Sequence, residues 1–108
     1  MTSRQMYDFA IGQIAWYEKM NGHIEHHLAF CNNQLARSRK QDKEVAEYAL
    51  ATQPDDPITV KIFSGNYISN ETRKLINERA KYYRERKLND KMIAHYKSEA
   101  DYYERFIG

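Results

Sequence analysis

The sequence predicts a mainly α-helical protein: a long antiparallel helical hairpin whose two arms flank a short extended insert. Three observations carry this. Residues 3–52 contain no proline and only two glycines, Gly12 and Gly22. Apolar side chains recur there at alternating three- and four-residue steps, the period of a helix that buries one narrow stripe. A proline-bounded break then separates this arm from a second proline-free stretch, 70–107.

In the first arm, 3–52, the stripe runs through Tyr7, Ala10, Ile14, Tyr17, Asn21, Ile24, Leu28, Cys31, Leu35, Ser38, Asp42, Val45 and Ala49. Its polar members are Asn21 and the pair Ser38 and Asp42. Asn21-Gly22 favours left-handed backbone and is the one credible break. The arm is therefore either one long helix or two divided near Gly22, the latter folding back into a three-helix bundle.

Gln53-Pro54-Asp55-Asp56-Pro57 ends the arm, because proline lacks the amide hydrogen and pushes its predecessor out of the α region. The insert, 54–68, follows. Its alternating, β-branched Ile58-Thr59-Val60-Lys61-Ile62-Phe63 reads as a strand, with Ser64-Gly65-Asn66 as a turn and Tyr67-Ile68 as a brief return. A β-hairpin or extended segment over 58–68 is the expectation, and Ile58, Val60 and Ile62 are candidates for adding a strand to a partner's sheet.

Ser69-Asn70-Glu71 opens the second arm, 70–107, with a capping oxygen and an acid in the first turn. Its stripe is Leu75, Arg79, Tyr82, Arg86, Asn89, Ile93, Tyr96, Ala100, Tyr103 and Ile107. The C-terminal half is apolar. The middle, Arg79 to Asn89, reads as a surface for water or a ligand.

Pairing Thr52 with Asn70 sets a register in which facing residue numbers add to about 122, since both helices rise equally per residue. Residues 1–13 then overhang the second arm. Met6, Tyr7, Phe9, Ala10 and Ile11, with Ile14 beside them, become a self-association or partner arm, for each such side chain left in water forgoes about 1.5–3 kcal/mol. The same register sets Arg37–Lys43 level with Arg79–Arg86.

Those charges define the leading functional candidate. Residues 37–43 carry net +3 and residues 73–91 net +5, against +2 for the whole chain, so the remainder is −6. The expected basic belt comprises Arg37, Arg39, Lys40, Lys43, Arg79, Lys81, Tyr82, Tyr83, Arg84, Arg86 and Lys87. Cations beside an aromatic pair suit a phosphate backbone with a base stacked on the ring, and equally an acidic protein partner. No helix-turn-helix, zinc-finger or ribonucleoprotein signature accompanies them.

The histidines yield less. His23, His27 and Cys31 follow at four-residue steps, but His23 and Cys31 lie about 12 Å apart along a helix, too far to share one ion. His23, His27 and His95, brought level by the assumed register, form the only sensible metal trio. No metal or other cofactor is expected. No nucleophile–base pair or glycine-rich phosphate loop is present, and Cys31 falls on the apolar stripe, so no enzyme is expected.

The single cysteine excludes an internal disulfide and fits a reducing compartment. The N-terminus shows no secretory signal and no apolar run is long enough to span a membrane, so the expected location is cytoplasmic. A chain of 108 residues with 30% charged side chains makes one thin-cored domain, 1–108, suited to a homo-oligomer, with a dimer as first expectation. The functional expectation is a non-catalytic helical binding protein whose belt contacts nucleic acid or a nucleoprotein, of the kind found among accessory or inhibitory proteins of phages and mobile elements. The alternatives are a protein–protein module that binds a host protein through the N-terminal arm and insert, and a metal or nucleotide site between protomers.

Overall fold

The computed structural model describes residues 1–107 and contains three helices: α1, Ser3–Thr52; α2, Pro57–Phe63; and α3, Asn70–Glu104. The chain divides into two compact units, Met1–Leu28 with Lys81–Gly108, and Ala29–Ala80. α1 and α3 contribute to both.

α1 begins with a reciprocal cap: the Gln5 amide donates to Thr2 Oγ1 at 3.2 Å and the Thr2 amide to Gln5 Oε1 at 2.9 Å. Two otherwise orphaned backbone donors are thereby satisfied. The helix continues without interruption through Gly22, so neither the break nor the three-helix fold-back occurs. Backbone hydrogen bonds on both sides hold Gly22 in helical geometry against its local preference. A Cβ added there meets nothing within 4 Å. Gly22→Ala is therefore expected to stabilise the chain by about 0.5–1 kcal/mol, read as a higher urea midpoint at unchanged slope. A destabilised variant would show that the helix bends at this position.

The first part of the insert, Pro57–Phe63, is helical and 64–68 are irregular, so the expected β-hairpin at 58–68 is not formed among the described residues. Pro57 occupies the first helical position, where its missing N–H costs nothing and its fixed φ suits the helix. Asp56 caps the same turn, accepting from the Thr59 amide at 3.3 Å and from the Thr59 hydroxyl at 2.6 Å. These hydrogen bonds outweigh the opposing burial and hold the Asp56 carboxyl below its ordinary pKa. An unpaired strand would leave its backbone polar groups to water, whereas about two helical turns satisfy most of them internally. Ile58, Val60 and Ile62 are thus helical and exposed; strand addition would require melting α2. Gly65, at φ +98°, makes the turn out of α2. Residues 64–68 then run back beside the end of α1, where an open trough of about 750 Å³ lies against Lys43, Leu50, Phe63 and Tyr67.

This return path changes the register. In the first unit Asn21 meets Asp90 and Glu25 meets Arg86, numbers that add to 111. In the second, Asn32 meets Arg79 and Asp42 meets Ser69, again adding to 111. The arms are antiparallel in each unit, but displaced by about eleven from the expected 122. Residues 1–28 accordingly share a unit with 81–108, and the N-terminal overhang does not exist. Ala10 is fully buried, and Phe9 packs edge-on against Tyr96 with ring centres 6.0 Å apart.

The polar members of the stripe are interior. Ser38, Asp42 and Thr72 are buried, at 6%, 7% and 1% exposure. Asp42 Oδ2 accepts from the Thr72 hydroxyl at 2.6 Å and from the Ser69 amide at 3.1 Å. Ser38 Oγ hydrogen-bonds Thr72 Oγ1, and Ser69 Oγ, the cap of α3, accepts from the Thr72 amide at 3.2 Å. Burial pushes the Asp42 carboxyl up, but its hydrogen bonds from Thr72 and Ser69 prevail and hold it below its ordinary pKa. A carboxylate at a helix N-terminus also meets the positive end of the helix dipole. In the first unit Asn89 Nδ2 donates to Asn21 Oδ1 at 3.1 Å, while Asn21 Nδ2 donates to Asp90 at 2.9 Å. An apolar seam alone tolerates slippage by whole turns; these polar pairs do not, and they set the register.

Candidate functional site

The expected belt is not assembled as the sequence suggested. Arg37–Lys43 lies level with the start of α3, because Ser38 and Asp42 meet Thr72 and Ser69. Its cations project from the exposed side of α1, and Lys43 approaches Glu47 at 3.9 Å. Arg79 reaches Asn32 at 3.5 Å in the same unit. The remaining members belong to the other unit: Arg86 pairs with Glu25 at 3.0 Å and Tyr82 stacks on His27 at 5.1 Å. Lys81, Tyr83, Arg84 and Lys87 are exposed on α3. The middle of α3 is therefore partly occupied by contacts across the hairpin, which is why it lacks an apolar stripe.

The histidine trio is not formed. His95 bonds Glu99 at 3.2 Å, one turn along α3, and lies level with Trp16 in the observed register. Among the described residues no group of three or more His, Cys, Asp or Glu is placed to hold a metal ion. Burial raises the Cys31 thiol pKa, nearby Glu78 adds to this, and Arg79 partly offsets it, so the thiol is held in its unreactive form. No helix among the described residues is long and apolar enough to cross a membrane.

What the geometry does assemble is an apolar face on the first unit. Let the seam positions of each helix be a and d of a heptad. The c positions of α1, which normally face water, are Phe9, Trp16 and His23; those of α3 are Leu88, His95 and Tyr102. In an antiparallel pair the c and g edges of both helices lie on the same side of the seam. The register sets Phe9 level with Tyr102, Trp16 with His95 and His23 with Leu88. Phe9, Trp16, Leu88, Tyr102 and Phe106 are each 49–60% exposed. Between the helices this face sinks into a groove of about 320 Å³ lined by Trp16, Met20, His23, His27, Tyr82 and Leu88. Phe106, in the turn after α3, meets Tyr102 edge-on with ring centres 5.3 Å apart and extends the face past the helix end.

The opposite edge differs in kind. It carries Ile11, Glu18, Glu25, Tyr83, Asp90, Lys97 and Glu104, and is mostly charged. Of the expected N-terminal arm, Phe9 belongs to the apolar face, Ala10 to the core and Ile11 to the charged edge; Met6, Tyr7 and Ile14 are half-buried. Trp16, Met20, Leu88, Tyr102 and Phe106 lie off the principal stripe of each arm, so the strongest helical periodicity does not disclose them. The signal was present as a second series at seven-residue steps, 9–16–23 and 88–95–102.

No protein-family model, curated protein or solved structure matches this chain.

Proposed function

We propose that the protein is a non-catalytic helical interaction module whose working surface is the apolar face of Phe9, Trp16, Leu88, Tyr102 and Phe106. The observation that supports this is the exposure of four aromatic side chains and a leucine on one edge of a hairpin whose other edge is mostly charged. Scattered exposed apolar residues are ordinary, whereas a contiguous row of large ones marks a binding surface. Aromatic side chains also carry a large share of the energy where proteins meet.

The nucleic-acid reading has its own observation. Lys81, Arg84, Lys87 and Lys91 form an exposed basic ridge along α3, with Tyr83 half-exposed beside it. Such a ridge can neutralise phosphates, and its binding would weaken steeply with salt.

Affinity capture from lysate of the source cells, with and without nuclease, separates the two. The wild-type chain is compared with a Trp16→Glu/Leu88→Glu double variant of equal helicity. The apolar-face reading expects retained proteins, copies of this chain included, to be lost from the variant and to survive nuclease. Identical retention by both chains would overturn it, and retention abolished only by nuclease would establish the basic ridge in its place.

A further inference from the structure

The proposed interaction face leaves its occupant open, and the chemistry of the face narrows the choice. We infer that it is closed by a second copy of the chain, two hairpins packing face to face into a four-helix arrangement; this rests on the interaction-face reading.

Area is the first argument. An aromatic side chain presents about 150–250 Å². At roughly half exposure, Phe9, Trp16, Tyr102 and Phe106 together with Leu88 offer roughly 500 Å² of apolar surface per copy. A standard interface buries about 800 Å² per partner, and homodimer interfaces are about 65% apolar. The face thus supplies the apolar share that a stable dimer needs, and the surrounding c and g side chains supply the rest.

Need is the second. Among the described residues the buried apolar side chains are Ala10, Ile24, Leu28, Cys31, Leu35 and Ala100, of which the first unit holds two large ones, Ile24 and Leu28. Two helices in contact bury one stripe each and leave the rest of their apolar surface in water. Small folds with so thin a core gain stability by oligomerisation.

Charge is the third. The c and g edges carry Lys81, Glu85 and Glu99, with imidazoles at His23, His27 and His95. With neutral imidazoles this is a net charge of −1, so two copies brought together meet no strong field of one sign. A face meant for a strongly charged partner would carry the opposite excess. A two-fold contact also requires the same patch on both members. Here the aromatic end (Phe9, Tyr102, Phe106) can seat in the groove between Trp16 and Leu88 of the other copy.

Sedimentation velocity of the full chain over a wide concentration range tests this, with far-ultraviolet dichroism confirming the fold of each variant. The wild type is expected at about twice the 12.9 kDa chain mass. Trp16→Glu and Leu88→Glu are expected to weaken association by about thirtyfold or more each. Ile11→Glu, on the charged edge, is expected to remain a dimer. Both face residues are more than half exposed, so their variants are expected to keep the monomer's helicity; if one loses it, the other is read. A wild type monomeric throughout, or a dimer insensitive to both face variants, overturns the inference. A monomeric chain whose capture from lysate still depends on Trp16 and Leu88 overturns the second copy while leaving the interaction face standing.

Discussion

Asp42→Ala is expected to destabilise the protein by about 3 kcal/mol at neutral pH, one of the largest losses available to a single polar substitution in this chain. Asp42 Oδ2 accepts hydrogen bonds from the Thr72 hydroxyl and the Ser69 amide inside the seam, at 7% exposure. Hydrogen bonds to a buried charged acceptor are worth about 1.5–3 kcal/mol each, and donors left unsatisfied add their own desolvation cost. Asp42→Asn should lose less, since the amide oxygen can still accept. Thr72→Val should be coupled to Asp42→Ala in a double-mutant cycle by about 0.5–3 kcal/mol.

The effect has a defined pH dependence. The carboxyl pKa is lowered by folding, so the unfolded chain binds the proton more readily than the folded one. The contribution of the charged form is therefore complete above the unfolded value of about 3.9 and is lost as pH falls through the folded value. Chemical denaturation of wild type and Asp42→Ala at pH 7 and at steps below pH 4 should show the gap narrowing with acid. A gap already small at pH 7, or one unchanged in acid, would mean that the carboxylate is not held as described.

Leu35→Ala carries the second large expectation. Leu35 is 2% exposed on the seam of the second unit, close in sequence to Cys31 and Ser38, which are also buried. Removing a buried leucine costs about 2–5 kcal/mol, the spread depending on how far the site collapses. Domains of this size carry only about 5–15 kcal/mol in total, so a large part of the stability rests on this side chain. Urea melts at low protein concentration, where association contributes least, are expected to show a lower midpoint by that amount. A loss below about 1 kcal/mol would place the core of this unit elsewhere.

The two substitutions show which parts of the fold the sequence discloses. Ile24, Leu28, Cys31 and Leu35 were legible because helical period alone puts them on one stripe, and the helix ends at Thr52 and Asn70 follow from proline and capping chemistry. Asp42 and Ser38 were not. A polar residue on an apolar stripe reads as a defect until its partner is known, and Thr72 lies thirty residues away in sequence from Asp42. Register was hidden for the same reason: a repeating apolar seam permits several alignments, and the choice rests on pairs such as Asn21 with Asn89 that only the folded chain reveals. α2 reads as a strand because Ile58, Val60 and Ile62 alternate, while the decisive capping contact between Asp56 and Thr59 is local and polar.

The candidate site depended on register more than on composition. With facing numbers adding to 122, the basic residues of α1 and α3 gathered into a belt and the N-terminal aromatics were left without neighbours. With 111, Arg37–Lys43 fall level with the start of α3 and not with Arg79–Arg86, Ala10 is buried, and Phe9 and Trp16 align with Tyr102 and His95 on one edge.

Trp16, the only tryptophan, stands in the middle of that edge at 53% exposure and reports on it directly. Quenching of its fluorescence by acrylamide across a protein dilution series is the most direct measure of whether the edge is a contact surface. Ready quenching is expected in dilute solution, with progressive protection and a blue shift in emission as concentration rises. Protection should vanish in Leu88→Glu. Quenching that stays equally efficient at every concentration, with no change in emission, would contradict closure of the apolar edge by a second copy.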